Sequence, residues 1–294
     1  MNILVLGGTR FFGVHVVKAL LDRGHAVTIA TRGKAMDEFG DRVGRIVLDR
    51  TNAESIKKAL AGKHFDAAID NICYCSNDMK ALMDVLDCDR YVYTSTTAVY
   101  EPKHVDTVET DFDPLHREMI WCDRPAYPYA QVKRHAEAAL WQEYGDRNFA
   151  AVRYPFVVGE DDYTRRLYFY VDHVMNGKPM YIDNLSCQMG FIRSDEAGGL
   201  LAFMAENDAA GAFNGASQGT ISVDEMIRYV EAKTEKKAVM SDDGDPAPYN
   251  GEPEYSINTD KARQLGYSFS CLKDWIYSLL DYYIEEIAEE NNHA

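Results

Sequence analysis

The chain has 294 residues, 46% hydrophobic and 27% charged, a globular composition that suits one large α/β domain with a smaller lobe. Its formal charge of −16 argues against nucleic acid or an anionic membrane as the main partner, and no apolar stretch approaches the length of a membrane span. Six cysteines without a CxxC pair read as reduced thiols of a cytoplasmic protein, and eight histidines at no ligand spacing predict no metal site.

Residues 2–6 (NILVL) are an apolar run, too short for a targeting segment. Gly7-Gly8-Thr9-Arg10-Phe11-Phe12-Gly13 follows at once, then a helical pattern to Gly24 and a second apolar run at 26–30. Strand, glycine-rich turn, helix and strand in that order open a dinucleotide-binding α/β fold. The glycines let the strand turn sharply and let the backbone approach a pyrophosphate. They also let the helix pack with its unpaired N–H groups towards the phosphates. An NAD site usually places a carboxylate after the second strand to bind the ribose hydroxyls. Here Thr31-Arg32 stands in its place. Arg10 and Arg32 would flank the adenosine ribose, where a 2′-phosphate welcomes guanidinium groups, so NADP is expected in preference to NAD.

A third strand is predicted at 45–49, helical residues at 53–61, a fourth strand at 65–69, a helix at 79–86 and a fifth strand at 90–94. This alternation implies a parallel sheet with right-handed crossovers. The fifth strand ends in hydroxyls (Thr94-Ser95-Thr96-Thr97) and closes in Val99-Tyr100. The acidic loop 101–125 reads as a solvated surface loop, with a lid as the alternative. Tyr127 to Lys133 then opens a helix towards Glu143, on which Tyr129 and Lys133, four apart, share a face. A phenol works as acid or base in hydride transfer if its pKa falls well below ~10, and an ammonium one turn away favours the phenolate.

The glycine turn, the hydroxyl-rich strand end and Y-x-x-x-K together resemble the extended short-chain dehydrogenases/reductases, the NAD(P)-dependent epimerase/dehydratase family. GGTRFFG, with Arg10 for the middle glycine, resembles the atypical members. The resemblance implies a Rossmann fold: a doubly wound parallel sheet over residues 1–155 and a smaller, mainly substrate-binding lobe over 156–294, with 185–215 returning to the main sheet. It implies Thr96, Tyr129 and Lys133 as the catalytic set, Thr96 orienting the substrate oxygen and Lys133 also binding the nicotinamide ribose. Cofactor contacts fall to Gly7, Gly8, Thr9, Arg10, Phe11, Phe12, Gly13, Arg32 and Asp49. Asp49 is placed at the adenine, with a helix cap as the alternative.

Thr97-Ala98 stands where sugar 4,6-dehydratases carry Asp-Glu, which leaves an epimerase or ketone reductase, with a nucleotide-linked sugar as the expected substrate. A helix from 160 to 175 would present Arg165 and Arg166 to an anionic substrate, the alternative being solvated helix arginines. Residues 272–287 read as an apolar-faced helix and 285–294 as a fraying acidic tail. The resemblance further implies a homodimer through helices 78–86 and 129–144, with Met79, Leu82, Met83, Val132, Ala136 and Leu140 in the seam. The rival function is a non-catalytic, NAD(P)-binding or RNA-associated protein of the atypical group. The intact Thr/Tyr/Lys set and the charge weigh against it.

Overall fold

Side chains alternate across a strand, so a strand buried on both faces feeds two cores. β1 (Asn2–Leu6) does this: Ile3 and Val5 enter one cluster, Leu4 and Leu6 the other. The computed structural model describes residues 1–293 and places β1 inside a seven-stranded sheet, next to its central strand. Its companions are β2 (Ala26–Thr31), β3 (Val43–Val47), β4 (His64–Asp70), β5 (Asp87–Thr96), β6 (Phe149–Tyr154) and a late strand, Gly211–Asn214. Spatially they run late strand, β6, β5, β4, β1, β2, β3, and every neighbouring pair is parallel. The predicted doubly wound α/β class is the one observed.

The helices in chain order are α1 (Phe12–Asp22), α2 (Ala53–Leu60), α3 (Ser76–Met83), α4 (Tyr129–Glu143), α5 (Arg166–Asn176), α6 (Ser194–Glu206), α7 (Val223–Thr234), α8 (Asp260–Gln264) and α9 (Ile276–His293). α1 and α6 cover one face of the sheet, and α2, α3 and α4 cover the other. α6 presses so closely on α1 that a Cβ on Gly198 would lie 2.6 Å from the Cβ of His15. A separate aromatic-rich core joins α5, α7 and α9 with Phe191, Tyr249 and Tyr255.

Two sequence expectations change. The helix after β6 begins at Arg166, not 160. Asp162 accepts the Thr164 amide (2.9 Å) and hydroxyl (2.6 Å), and Arg165 at φ 56° is left-handed, so the chain turns before it coils. The acidic tail does not fray: α9 runs on to His293, anchored by Glu286 to Arg165 (2.8 Å) and by Glu290 to the Tyr168 hydroxyl (2.6 Å).

The acidic loop is a surface loop with most of its residues exposed, as expected, and it is also pinned at several points. Ser76 Oγ donates to Ile120 O and accepts from Cys122 N; Gln142 donates to Pro114 O and Arg117 O; Thr107 pairs with Ile257 in the second lobe. With this strap in place, α4 is buried continuously from Val132 to Leu140, and Met79, Leu82 and Met83 are buried too. Of these, Met79, Leu82, Met83, Ala136 and Leu140 pack in the core on the face of the sheet that these helices cover.

Candidate functional site

The glycine turn connects β1 to α1. Gly7 has φ 85°, and a Cβ there would meet Ile72 Cγ2 at 2.6 Å; a Cβ on Gly13 would stand inside the radius of the Gly7 carbonyl oxygen. Gly8 lies beneath the turn, against Val17. Phe11 takes φ 52° at the N-cap of α1, a strained conformation for a bulky residue, and such strain gathers at ligand sites. Its ring packs edge-on against Tyr163, with centroids 5.9 Å apart.

In front of this turn runs a groove of about 460 Å³, lined by Gly7, residues 9–13, Arg32 and Asp49. The structure thus brings together all the sequence-predicted cofactor residues of the amino-terminal half except the buried Gly8. Arg10 and Arg32 are exposed there and have no ion-pair partner among the described residues. Lys34, which sequence reasoning passed over, joins them in the lining and is likewise unpaired among the described residues. Asp49 Oδ1 accepts the Thr51 amide (3.0 Å) and hydroxyl (2.8 Å), which holds its carboxyl below the ordinary carboxylate range with help from Arg32 and Lys34. The cap of α2 is Asn52, so Asp49 does not cap that helix.

Asp70 and Asn71, at the end of β4, also find their roles. Asp70 is fully buried and binds Arg50 Nη2 at 2.7 Å and the Tyr91 hydroxyl at 3.1 Å. Asn71 Oδ1 accepts from Thr94 Oγ1, while its Nδ2 and the Nε of Arg50 are buried without a partner, and both residues line the groove. Strong donors left waiting in a groove are what a phosphate- and hydroxyl-rich ligand would satisfy. The cradle, the three unpaired cations and these orphaned donors fit a dinucleotide phosphate.

The groove continues to the Y-x-x-x-K pair through Tyr74, whose ring meets that of Tyr129 edge-on at 6.2 Å. Tyr129, the first residue of α4, is 51% exposed. Burial pushes the phenol up to about 12; the neighbouring Tyr74 adds to this, while the Thr96 hydroxyl and Arg166 pull the other way. Lys133, 4% exposed, donates from Nζ to the carbonyls of Cys73 (2.9 Å) and Thr94 (2.8 Å), and burial lowers it to about 8. An ammonium has three donors, so one remains for a ligand. Thr96 stands at the carboxyl end of β5, its Oγ1 accepting from Ala98 N at 3.2 Å.

The two candidate substrate arginines part company. Arg165 is tied to Glu286 and lies 3.5 Å from the Tyr168 ring centroid. Arg166 faces the site: it donates to Thr164 Oγ1 (3.2 Å), lies over Phe156 (5.4 Å), and its charge acts on Tyr129 and Tyr74. A larger cleft, about 840 Å³, opens on the outer side of the turn, away from Tyr129. Its wall holds the ion pairs His15–Asp161, Lys18–Glu38 and Arg193–Asp195.

The family model for the NAD dependent epimerase/dehydratase family matches residues 3–216. The chain belongs to that family. A UDP-glucose 4-epimerase from Thermotoga maritima, solved with UDP-glucose, superposes with a TM-score of 0.76 at 17% identity, over 98% of this chain and 100% of that one. A UDP-glucuronic acid 4-epimerase from Bacillus cereus, solved with NAD, gives 0.73 at 18% identity over 98% and 100%. These likenesses establish the fold. Among curated relatives, the chloroplast stem-loop binding protein of 41 kDa b of Arabidopsis thaliana is 23% identical over 203 residues, 64% of this chain and 50% of the relative. The 2′-dehydrokanamycin reductase of Streptomyces kanamyceticus is 28% identical over 218 residues, 71% of this chain and 59% of the relative. The chain thus spans between half and three fifths of the curated relatives it matches. Within this family member no helix among the described residues is long and apolar enough to cross a membrane. His64, Asp66 and Asp89 bring ligand atoms within 4.8 Å of one another, a juxtaposition that sequence spacing does not reveal.

Proposed function

We propose that this family member is an NADP-preferring oxidoreductase or epimerase acting at a hydroxyl or keto carbon of a sugar-like compound, with Tyr129 as its acid/base. The observation that carries the reading is the continuity of groove and tyrosine: a trough with three cations free of ion pairs at one end leads past Tyr74 to a phenol that meets the Thr96 hydroxyl. The residues of the glycine turn would hold the pyrophosphate, and Arg10, Arg32 and Lys34 a 2′-phosphate. When bound, the nicotinamide supplies or accepts the hydride. The chain's own work is proton management and orientation. Tyr129 gives a proton to the substrate oxygen or takes one from it; Thr96 orients that oxygen; Lys133, anchored by two carbonyls, offers its remaining N–H and its charge beside the phenol. The relatives' names support sugar chemistry, since they include a reductase of an aminoglycoside and epimerases of nucleotide sugars.

Calorimetric titration is expected to give NADPH a roughly ten- to hundredfold advantage over NADH, the scale of charge-assisted hydrogen bonds. Arg10→Ala and Arg32→Ala should erode that advantage without weakening NADH. Equal affinities overturn the preference. Product analysis with catalytic against stoichiometric cofactor separates epimerisation from net reduction. The likeness to the stem-loop binding protein favours a second reading, an RNA-associated protein without turnover. Gel-shift titration with stem-loop RNA is expected to show no binding at physiological salt, given the charge of −16.

A further inference from the structure

The groove lies at the carboxyl ends of the strands, where Gly7, Leu48 and Asn71 line it. At the other end of the sheet, where β4 and β5 begin, one imidazole meets three carboxylates. His64 stands in register beside Asp87, and two residues further along each strand Asp66 and Asp89 project from the same face. Like charges side by side on neighbouring strands repel. Among the described residues no lysine or arginine lies within 4.0 Å of any of the three acids, so His64 is their one basic neighbour.

The ring of His64 is oriented. Its Nδ1 bonds the Asp87 carboxylate at 3.1 Å, the kind of partner that fixes a metal-ligating histidine. Its Nε2 stands 3.4 Å from Oδ2 of Asp89, beyond the ordinary hydrogen-bond range, and makes no hydrogen bond among the described residues. Two ligands of one tetrahedral zinc ion, at bond lengths of about 2.0–2.1 Å, stand about 3.3 Å apart. Asp66 brings the third donor. One of its oxygens accepts the Asn2 amide at 2.5 Å, and ligand atoms of His64, Asp66 and Asp89 all lie within 4.8 Å of one another. A nitrogen and two carboxylate oxygens leave the fourth tetrahedral position to water. The imidazole favours zinc and its first-row neighbours over magnesium and calcium, which take oxygen shells.

We propose that His64, Asp66 and Asp89 bind a zinc ion, with Asp87 orienting the imidazole, and that the ion staples β4 to β5. The same strands carry Asp70 and Thr96 at their far ends, so the staple braces the sheet beneath the groove and takes no part in the chemistry. The test is calorimetric titration of the metal-stripped protein with zinc chloride and, in parallel, magnesium chloride, followed by thermal unfolding. One zinc ion per chain should bind in the micromolar range and raise the Tm, with no comparable response to magnesium. His64→Gln and Asp89→Asn, both at exposed positions, should keep the native circular dichroism, weaken zinc at least tenfold and remove the rise in Tm. Asp87→Asn should weaken zinc by about ten- to hundredfold. His116→Gln, whose imidazole pairs with Asp113 alone at 2.6 Å, should change nothing. Zinc binding that survives His64→Gln, for instance on the exposed Cys271, overturns the proposal. So does the absence of zinc binding in the micromolar range, or an equal response to magnesium.

Discussion

Tyr129 and Lys133 show how two residues chosen by one motif can be set differently from its simplest reading. The lysine was expected to pull the phenol down. Instead it is itself buried on two carbonyls and lowered to about 8, while the phenol is raised to about 12. In the cofactor-free protein, the absorbance difference between wild type and Tyr129→Phe should show no phenolate below pH ~10. A step below that would mean Lys133 already governs the phenol. With a substrate in hand, Tyr129→Phe should lower turnover by about 10²–10⁴ with cofactor affinity nearly intact. Lys133 also leaves a mark on stability. Between about 8 and its model value of 10.5 the unfolded chain holds the proton that the folded chain has shed, so this residue makes stability rise with pH across that window. Denaturant midpoints should show a rise in wild type relative to Lys133→Met; parallel curves would refute it.

Among the elements, α4 carries a second function beneath its catalytic one. Glu137, one turn beyond Lys133, is fully buried and ion-paired with the equally buried Arg153 of β6 at 2.6 Å. It also accepts from Ser95 Oγ at 2.5 Å, and Arg153 holds the carbonyl of Glu109 in the strap at 2.7 Å. Breaking such a pair strands a charge, so Glu137→Ala should cost about 3–5 kcal/mol, a fall of roughly 10 °C in Tm. Glu137→Leu combined with Arg153→Met should recover part of it, and an unchanged Tm in Glu137→Ala would refute the assignment. None of this network could be read from sequence, because its bonded partners lie 16 to 44 residues apart with no periodicity joining them. β1, the glycine turn and α1 were legible for the opposite reason: apolar runs and glycines report local needs of the backbone. The helix start at Arg166 was misread because an Asp162 turn, not the apolar pattern, decides it. The unpaired groove donors of Asn71 and Arg50 went unrecognised because their meaning depends on strand ends meeting across the sheet.

For the molecule as a whole, the apolar side chains of α3 and α4 that were expected at a dimer seam are packed within the chain. Val132, Ala136 and Leu140 are at most 2% exposed within one chain. Lys80→Glu and Asp84→Lys, on the exposed side of α3, should therefore leave the mass measured by light scattering unchanged; dissociation by either variant would restore the α3/α4 seam.

The same strap has a consequence for the rates of ligand entry. At one end it is fastened to α4, where Arg134 Nη1 lies 2.6 Å from the Glu101 carboxylate. At the other it is fastened to the second lobe, where Thr107 exchanges main-chain hydrogen bonds of 2.9 Å with the residues flanking Ile257. Two lobes laced together in this way have little freedom to swing apart, so binding should need no opening step. The observed rate of NADPH association should climb linearly with concentration, where a hinge would make it level off, and small-angle scattering should give one radius of gyration for the empty and the loaded protein.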